Sequence, residues 1–341
     1  MSSILTGHPN ILITGSSGFI GGFLVEEALA RGMNVFAAIR ASSNKQYLKN
    51  SQINFVELDL SSVPNLSYTL TEIVKKFGKI DYIIHNAGLT KASKKQHYFD
   101  VNTDFTGNFL NALLKANILP LKFIFMSSLA AYGPGNSTTF EPIKNDDIPA
   151  PISTYGESKL KAEQLIKSQH EIPWIIIRPT AVFGPREKEI FAIFQLINRN
   201  IHPWVNNKNQ RLTFIYVRDL ARVVLDSTLS NHFRKAYFVS DGQEYQSKAF
   251  GESVKKCIGK KTLNIPISEN FLKFIAHKLE VIYNISGKTP GLNMEKALEL
   301  GTTNWKCDII PLVSDIGFKP AYTLESGIKE TVVWYKNEGW L

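Results

Sequence analysis

Tyr155 and Lys159 stand four residues apart at the start of a stretch with helical spacing that reaches Gln169, so both side chains project from one helix face. A phenol ionises only near pH 10 in water, and a neighbouring ammonium favours its charged form. Such a pair can exchange a proton at neutral pH. Upstream, the run Phe125-Met126-Ser127-Ser128 ends in two hydroxyls, one of which can donate to a substrate oxygen while Tyr155 gives or takes its proton. The residues alone also allow plainer roles. Tyr155 and Lys159 then form a solvated helix face, and the serines cap the turn before Tyr132-Gly133-Pro134-Gly135.

A second group of residues is suited to phosphate. The apolar run Ile11 to Thr14 leads directly into Gly15-Ser16-Ser17-Gly18-Phe19-Ile20-Gly21, after which helical spacing continues through Arg31 and stops at Gly32. A strand, a glycine turn and a helix in that order form a pyrophosphate site. The first glycine allows the tight turn, the second lets backbone approach phosphate, and the third lets helix pack on strand. The helix N-terminus adds unpaired N–H groups with partial positive charge. At the end of the second apolar run, where a carboxylate would hold ribose hydroxyls, stand Ile39 and Arg40. A guanidinium there can grip a 2′-phosphate that a carboxylate would repel. The residues therefore favour NADP(H) over NAD(H), with Ser42, Ser43 and Lys45 as further donors. The alternative for Arg40 is a solvated side chain lying across the adenine.

These groups need a frame that brings them to one place. Short apolar runs rich in Ile, Val and Phe alternate with helical stretches from Asn10 to Arg178, the pattern of βαβ units around a parallel sheet. Strands are expected at Ile11 to Thr14, Val35 to Ile39, Asn54 to Glu57, Tyr82 to His85, Phe123 to Ser127 and Trp174 to Ile177. The fold class is α/β, a Rossmann-type doubly wound parallel sheet with a smaller, mainly helical C-terminal substrate lobe. Beyond Pro179, Gly184-Pro185, Pro203 and the polar run Asn206 to Gln210 mark an insertion with a helix near Lys188 to Arg199. A strand at Phe214 to Val217, a helix at Asp219 to Leu229 and a strand at Ala236 to Val239 then return the chain to the sheet. The expected dinucleotide-binding domain is 1–182 with 212–242, and the substrate lobe is 183–211 with 243–341, closing over the sheet's carboxyl edge where ligands bind.

Composition narrows the function classes. With 341 residues, two lobes sharing an interface are expected rather than one core. The formal charge of +9 is carried by lysines spread along the chain. Short clusters such as Lys94-Lys95 and Lys260-Lys261 lack the form of a nucleic-acid module or a basic tail. No nucleic-acid or membrane partner is expected, and the positive charge suits a ligand that carries phosphates. Cys257 and Cys307 lie far apart without CxxC spacing, so neither a disulfide framework nor a metal site is expected and a reducing compartment fits. Met1 to Asn10 has no basic segment leading into an apolar stretch, and Ile11 onward is too short to span a bilayer. A cytoplasmic protein is expected.

With these motifs in view, nearly the whole chain resembles the extended short-chain dehydrogenase/reductases, a family of nucleotide-sugar epimerases and dehydratases, hydroxysteroid dehydrogenases and dihydroflavonol reductases. The residues that carry the resemblance are Gly15, Gly18 and Gly21, Asp59-Leu60, His85-Asn86-Ala87-Gly88, Asn102, Ser127-Ser128, Tyr155 to Lys159, Arg178-Pro179-Thr180 and Phe214 to Leu220. The resemblance implies that Asp59 and Leu60 contact the adenine and that Asn86, Ala87 and Gly88 line the cofactor. It places the loop after Arg178 near the nicotinamide, and it counts Asn102, Ser127 and Pro179 among the cofactor residues beside Gly15, Ser17, Gly18, Phe19, Ile20 and Gly21. Ser128 matches the family's catalytic Ser/Thr. Dehydratases of this family follow that residue with an Asp-Glu pair, where Leu129-Ala130 stand here, so water elimination is rejected. Epimerases commonly carry a pyrophosphate arginine seven residues before the aspartate matching Asp219; that place holds Leu212, with Arg211 beside it. Arg186, after Gly184-Pro185, is another candidate substrate anchor. The resemblance is also consistent with a homodimer through the helices near Asn102 to Asn117 and Tyr155 to Gln169.

The expected activity is hydride transfer at a secondary alcohol or ketone carbon, with Tyr155 as general acid/base, Lys159 orienting the ribose and tuning Tyr155, and Ser128 holding the oxygen. One rival is a nucleotide-sugar epimerase that keeps its cofactor bound and leaves nicotinamide absorbance unchanged. Another is a non-catalytic NADP-binding sensor, which has no need of the tyrosine.

Overall fold

The computed structural model describes residues 8–286 and 290–341; the first seven residues of the opening segment read above fall outside that range. Strands β1 (Asn10–Thr14), β2 (Asn34–Ile39), β3 (Asn54–Glu57), β4 (Tyr82–His85), β5 (Lys122–Met126) and β6 (Trp174–Pro179) follow the expected runs to within a residue or two. Two short strands intervene, β7 (Ala181–Phe183) and β8 (Ile201–Val205), before β9 (Phe214–Tyr216), β10 (Lys235–Val239) and β11 (Leu263–Ile267). The large sheet has the order β10-β6-β5-β4-β1-β2-β3. Every pair in it is parallel, with Ile11 set against Val35 on one side and Tyr82 on the other.

The helices are α1 (Phe19–Ala30), α2 (Val63–Phe77), α3 (Lys95–Phe99), α4 (Phe105–Lys115), α5 (Thr154–Lys167), α6 (Phe191–Asn198), α7 (Val217–Leu229), α8 (Ala249–Ile258), α9 (Glu269–Ser286), α10 (Met294–Gly301), α11 (Ile310–Ile316) and α12 (Leu324–Asn337). Their apolar stripes explain why the strands are apolar on both faces. Ile11 and Ile13 of β1 pack with Leu24, Val25 and Ala28 of α1 and with Leu220, Val223 and Val224 of α7. Leu12, pointing the other way, packs with Leu66 and Leu70 of α2, Phe109 and Leu113 of α4, and Ala162 and Ile166 of α5. Each such buried Leu, Ile, Val or Phe side chain contributes ~1.5–3 kcal/mol. Because the chain leaves β1 toward one layer and β4 toward the other, the carboxyl ends of these neighbours diverge and open a crevice.

Two elements differ from the sequence expectation. The helix expected from Asn102 to Asn117 is broken into α3, a wide π turn at Asp100–Asp104, and α4. Asn102, inside that turn, has its side chain drawn away to bond the backbone of Leu89, and such turns recur where a residue is re-aimed. β9 is present but does not join the large sheet. It pairs with β7 in a separate two-stranded sheet, as β8 does with β11. The cause is aromatic packing: Phe214 and Tyr216 join Phe183, Phe250, Ile328 and Tyr335 in a second core, and β10 alone returns, beside β6. A carboxylate on α7 ties the C-terminal run to this body, Asp219 accepting the backbone N–H groups of Ala321 and Tyr322.

Helix α5 is held on the sheet by charge. Arg178 on β6 and Glu163 on α5 are both fully buried. Arg178 donates twice to the carboxylate, Nε to Oε1 at 2.9 Å and Nη2 to Oε2 at 2.6 Å. Its third nitrogen donates to Asn145 Oδ1, and its plane lies 4.2 Å from the centre of the Tyr132 ring. Ser127 Oγ donates to Glu163 as well. Removing one partner of such a pair leaves the other charge buried without compensation. Glu163→Gln is therefore expected to lower unfolding free energy by ~3–5 kcal/mol, read from the urea midpoint at unchanged slope.

Candidate active site

Six neighbouring strands end along one edge in the order β3, β2, β1, β4, β5, β6, a row ~24 Å long at ~4.8 Å per strand. Almost every residue singled out from the sequence lies on it. Exposed Asp59 and half-buried Leu60 follow β3, and exposed Arg40 follows β2. The glycine turn follows β1, Asn86 to Gly88 follow β4, Ser127 and Ser128 follow β5, and Pro179 closes β6.

The turn after β1 has the shape that phosphate needs. Gly15 has φ +66°, and a Cβ on it would lie 2.8 Å from the backbone of Asn86 and Ala87. A Cβ on Gly21 would lie 2.0 Å from Gly15 O, so both positions admit only hydrogen. Gly18 caps α1 with no side chain to satisfy the first N–H groups of the helix. Those groups, with Ser17, Phe19 and Ile20 partly open to solvent, form a cradle for an anion. Asn86 Nδ2 donates to Gly15 O at 3.4 Å, which links this turn to the loop after β4.

That loop is braced from beneath. Ala87 N–H donates to Thr14 Oγ1, which in turn contacts His85 Nδ1 at 2.8 Å. His85 Nε2 lies 3.0 Å from Thr106 Oγ1, which donates to Asn102 O. Burial, and after it the Lys159 ammonium, pushes the His85 pKa down to about 3, so the ring is neutral and serves as a relay of fixed dipoles. The Asn102 side chain is fully buried, accepting from Leu89 N and donating to Leu89 O and Ser158 Oγ. It thus shapes the loop from behind rather than presenting its amide to the cleft.

Helix α5 begins at an N-cap, Ser153, whose hydroxyl accepts from Gly156 N. Tyr155 and Lys159 then fall on the same face, as their spacing implies. The Lys159 ammonium donates to Met126 O at 2.7 Å and sits 4.8 Å over the Phe125 ring. It lies 3.1 Å from where a Cβ on Gly88 would stand, so that glycine leaves the loop open above the ammonium. Burial lowers the Lys159 pKa to about 8, against the opposing pull of Glu163. The Tyr155 phenol interacts with the Ser128 side chain, whose Oγ accepts from Ala130 N. Burial raises the Tyr155 pKa well above its usual value; the Ser128 contact lowers it and the carboxylates of Glu299 and Glu189 add to the rise.

Several contributors carried no sequence signal strong enough to single them out. Glu163 sits one turn beyond Lys159 on the same face, the one clue available. Tyr98, its ring 6.3 Å from that of Tyr155, is distant in sequence. So are Glu295 and Glu299 of α10, which accept from Thr154 N and Oγ1 and from Ser153 Oγ and so cap the start of α5 from the helical C-terminal region. Ser127 donates to Glu163 and is buried, which makes it a brace for α5. The two arginines expected to bind substrate are engaged elsewhere. Arg186 pairs with Glu26 on α1 at 2.6 Å between the rings of Phe23 and Tyr47, and Arg211 pairs with Glu244 at 2.9 Å.

Comparisons with known proteins identify the family and the fold. The chain is 26% identical over 333 residues to a UDP-glucose 4-epimerase of Vibrio cholerae, covering 94% of each protein. It is 24% identical over 334 residues to a ceramide reductase of Caulobacter vibrioides, covering 97% of this chain and 96% of that one. The fold matches the UDP-glucose 4-epimerase of Thermus thermophilus, solved in complex with NAD, at a TM-score of 0.73 and 21% identity, over 96% of this chain and 99% of that one. The model of the NAD dependent epimerase/dehydratase family matches residues 11–232. With the glycine turn and the Ser128, Tyr155 and Lys159 group in place, the chain belongs to that family, the extended short-chain dehydrogenase/reductases, and is an enzyme of its kind.

Proposed function

We propose that this protein is an NADP(H)-dependent oxidoreductase that interconverts a ketone and a secondary alcohol, with Tyr155 as general acid/base. The observation that carries the reading is the convergence at the carboxyl edge of β5 of Ser128, the Tyr155 phenol that interacts with it, and the Lys159 ammonium, which donates to Met126 O beneath Gly88. Gly15 to Gly21 would hold the pyrophosphate, Asp59 and Leu60 the adenine, and Asn86 to Gly88 with Lys159 the nicotinamide ribose. When bound, the nicotinamide supplies or takes up the hydride. Burial keeps Tyr155 protonated, so at rest it is a proton donor suited to a carbonyl oxygen. The proton passes from the phenol to that oxygen as the carbon is reduced, and returns in the opposite direction. Ser128 donates to the same oxygen and fixes its place.

Arg40 supports NADP(H). Its side chain is exposed at the end of β2, and among the described residues no carboxylate forms an ion pair with it. Lys45 instead lies over the Phe55 ring, and the Ser43 hydroxyl accepts from Arg40 N. The rival reading, a sugar-nucleotide epimerase, is favoured by the Vibrio relative. Against it stand Arg186 and Arg211, each already paired with a carboxylate, which leaves a substrate diphosphate without its candidate anchors.

Three outcomes are expected. Tyr155→Phe retains cofactor binding by fluorescence titration and loses turnover by ~10²–10⁴-fold; full activity in that variant would remove the phenol from the mechanism. For pH dependence, Lys159 carries its charge below about pH 8 and loses it above, so kcat/KM for the free enzyme falls on the alkaline side of about 8. Lys159→Arg, whose guanidinium stays charged, lacks that limb. Arg40→Ala raises KM for NADPH by ~10–100-fold, the scale of a lost charge-assisted contact, and leaves KM for NADH nearly unchanged.

A further inference from the structure

We propose that the solvent-facing side of α9 seats the protein on an anionic lipid surface. The helix has two apolar faces. Leu272 and Ala276 are buried against Ala297 of α10, with Ile267 and Val205 beside them. Phe271, Phe274, Val281 and Ile282 are 53%, 56%, 49% and 61% exposed. At ~100° per residue these four and Lys278 fall within one arc of ~100°, opposite the packed face. The Phe271 and Phe274 rings lie side by side, 6.5 Å apart and 19° from parallel. Four large apolar side chains on one open stripe of a globular protein mark a binding surface rather than chance exposure.

Charge identifies the occupant. Lys278 rises from within the stripe with its ammonium 5.6 Å over the Phe274 ring, as a lysine does when its stem lies in an apolar layer and its head reaches phosphate. Lys273 and His277 follow along one flank. The strand that leads into α9, β11, exposes Leu263 and Ile265 just after Lys260 and Lys261. Among the described residues no carboxylate forms an ion pair with Lys260, Lys261, Lys273 or Lys278. The two acidic residues of α9 turn inward, Glu280 accepting from Met294 N and Glu269 from Asn207. Against a second copy related by a two-fold axis, this stripe would set Lys278 and its neighbours against their own counterparts. Against phospholipid headgroups, the same lysines meet opposite charge while the Phe, Val and Ile side chains enter the acyl boundary, the arrangement of an interfacial helix. No described helix is long and apolar enough to cross a membrane, so the attachment is peripheral. Because α9 packs on α10, whose carboxylates cap α5 beside Tyr155, the bound face lies one helix layer from the active site.

Co-sedimentation of the full-length protein with vesicles tests this. Binding is expected to phosphatidylglycerol/phosphatidylcholine vesicles and not to phosphatidylcholine alone, and to weaken as NaCl rises from about 0.1 to about 0.5 M. Lys273→Gln and Lys278→Gln should each weaken it about fivefold, the factor for one lysine near an anionic surface, and Phe271→Ser with Phe274→Ser by about tenfold or more. Phe271, Phe274 and Lys278 are exposed and Lys273 is partly so, and unchanged melting and unchanged turnover of a water-soluble ketone confirm that each variant is folded. Equal binding to both vesicle types, or a dimer in sedimentation velocity that the Phe variant dissociates with no vesicle binding, would overturn the proposal.

Discussion

Glu163 and Arg178 are both removed from water, and two buried charges persist only where each lone pair and each N–H meets a partner. Here nearly all of them do: the guanidinium makes two bonds to Glu163 and one to Asn145, and Ser127 supplies the carboxylate with another donor. The pair contributes little net stability beyond an apolar alternative, but it leaves α5 a single seating on β6, because any rotation or slide would strand a charge. Tyr155 and Lys159 are two turns and one turn upstream on that helix, so their positions above the ends of β4 and β5 follow from that seating. Ser128 is drawn into the same register, since its neighbour Ser127 is part of the network.

The second constraint on α5 comes from the helical C-terminal region. Its N-terminus is covered by Glu295 and Glu299 of α10, where carboxylates complement the positive end of the helix dipole. Of these two, Glu299 also adds to the rise in the Tyr155 pKa, after burial and together with Glu189 from the loop before α6. Any shift of α10 away from α5 would uncover the helix start and carry Glu299 away from Tyr155. The seating of α10 and the Tyr155 pKa are therefore linked through a few short-range contacts rather than through a long path.

The positive charge of the chain is distributed in a way its total does not reveal. Arg178, Arg186, Arg211 and Arg218 are each paired with a carboxylate, which makes them structural joints. Arg40 stands exposed at the end of β2, and the lysines around α9 lie in the helical C-terminal region. The net charge of +9 therefore resides in cations outside these pairs, Arg40 and the lysines around α9 among them.

Periodicity by itself determined the α/β sheet, because strands buried on both faces must be apolar throughout and helices packed on them must carry a stripe. The glycine turn, the end of β2 at Arg40 and the four-residue spacing of Tyr155 and Lys159 were equally legible, since each depends on backbone geometry within a few residues. What lay beyond the sequence was long-range. That β9 pairs with β7 instead of the main sheet follows from which aromatic cluster receives Phe214 and Tyr216. That Arg186 and Arg211 meet Glu26 and Glu244 follows from elements 160 and 33 residues away in the chain. The brace at Glu163, the caps from α10 and the second apolar face of α9 were decided the same way. A side chain's type and spacing state what it can do, whereas its partner, and so its charge state and exposure, is chosen only when distant segments pack.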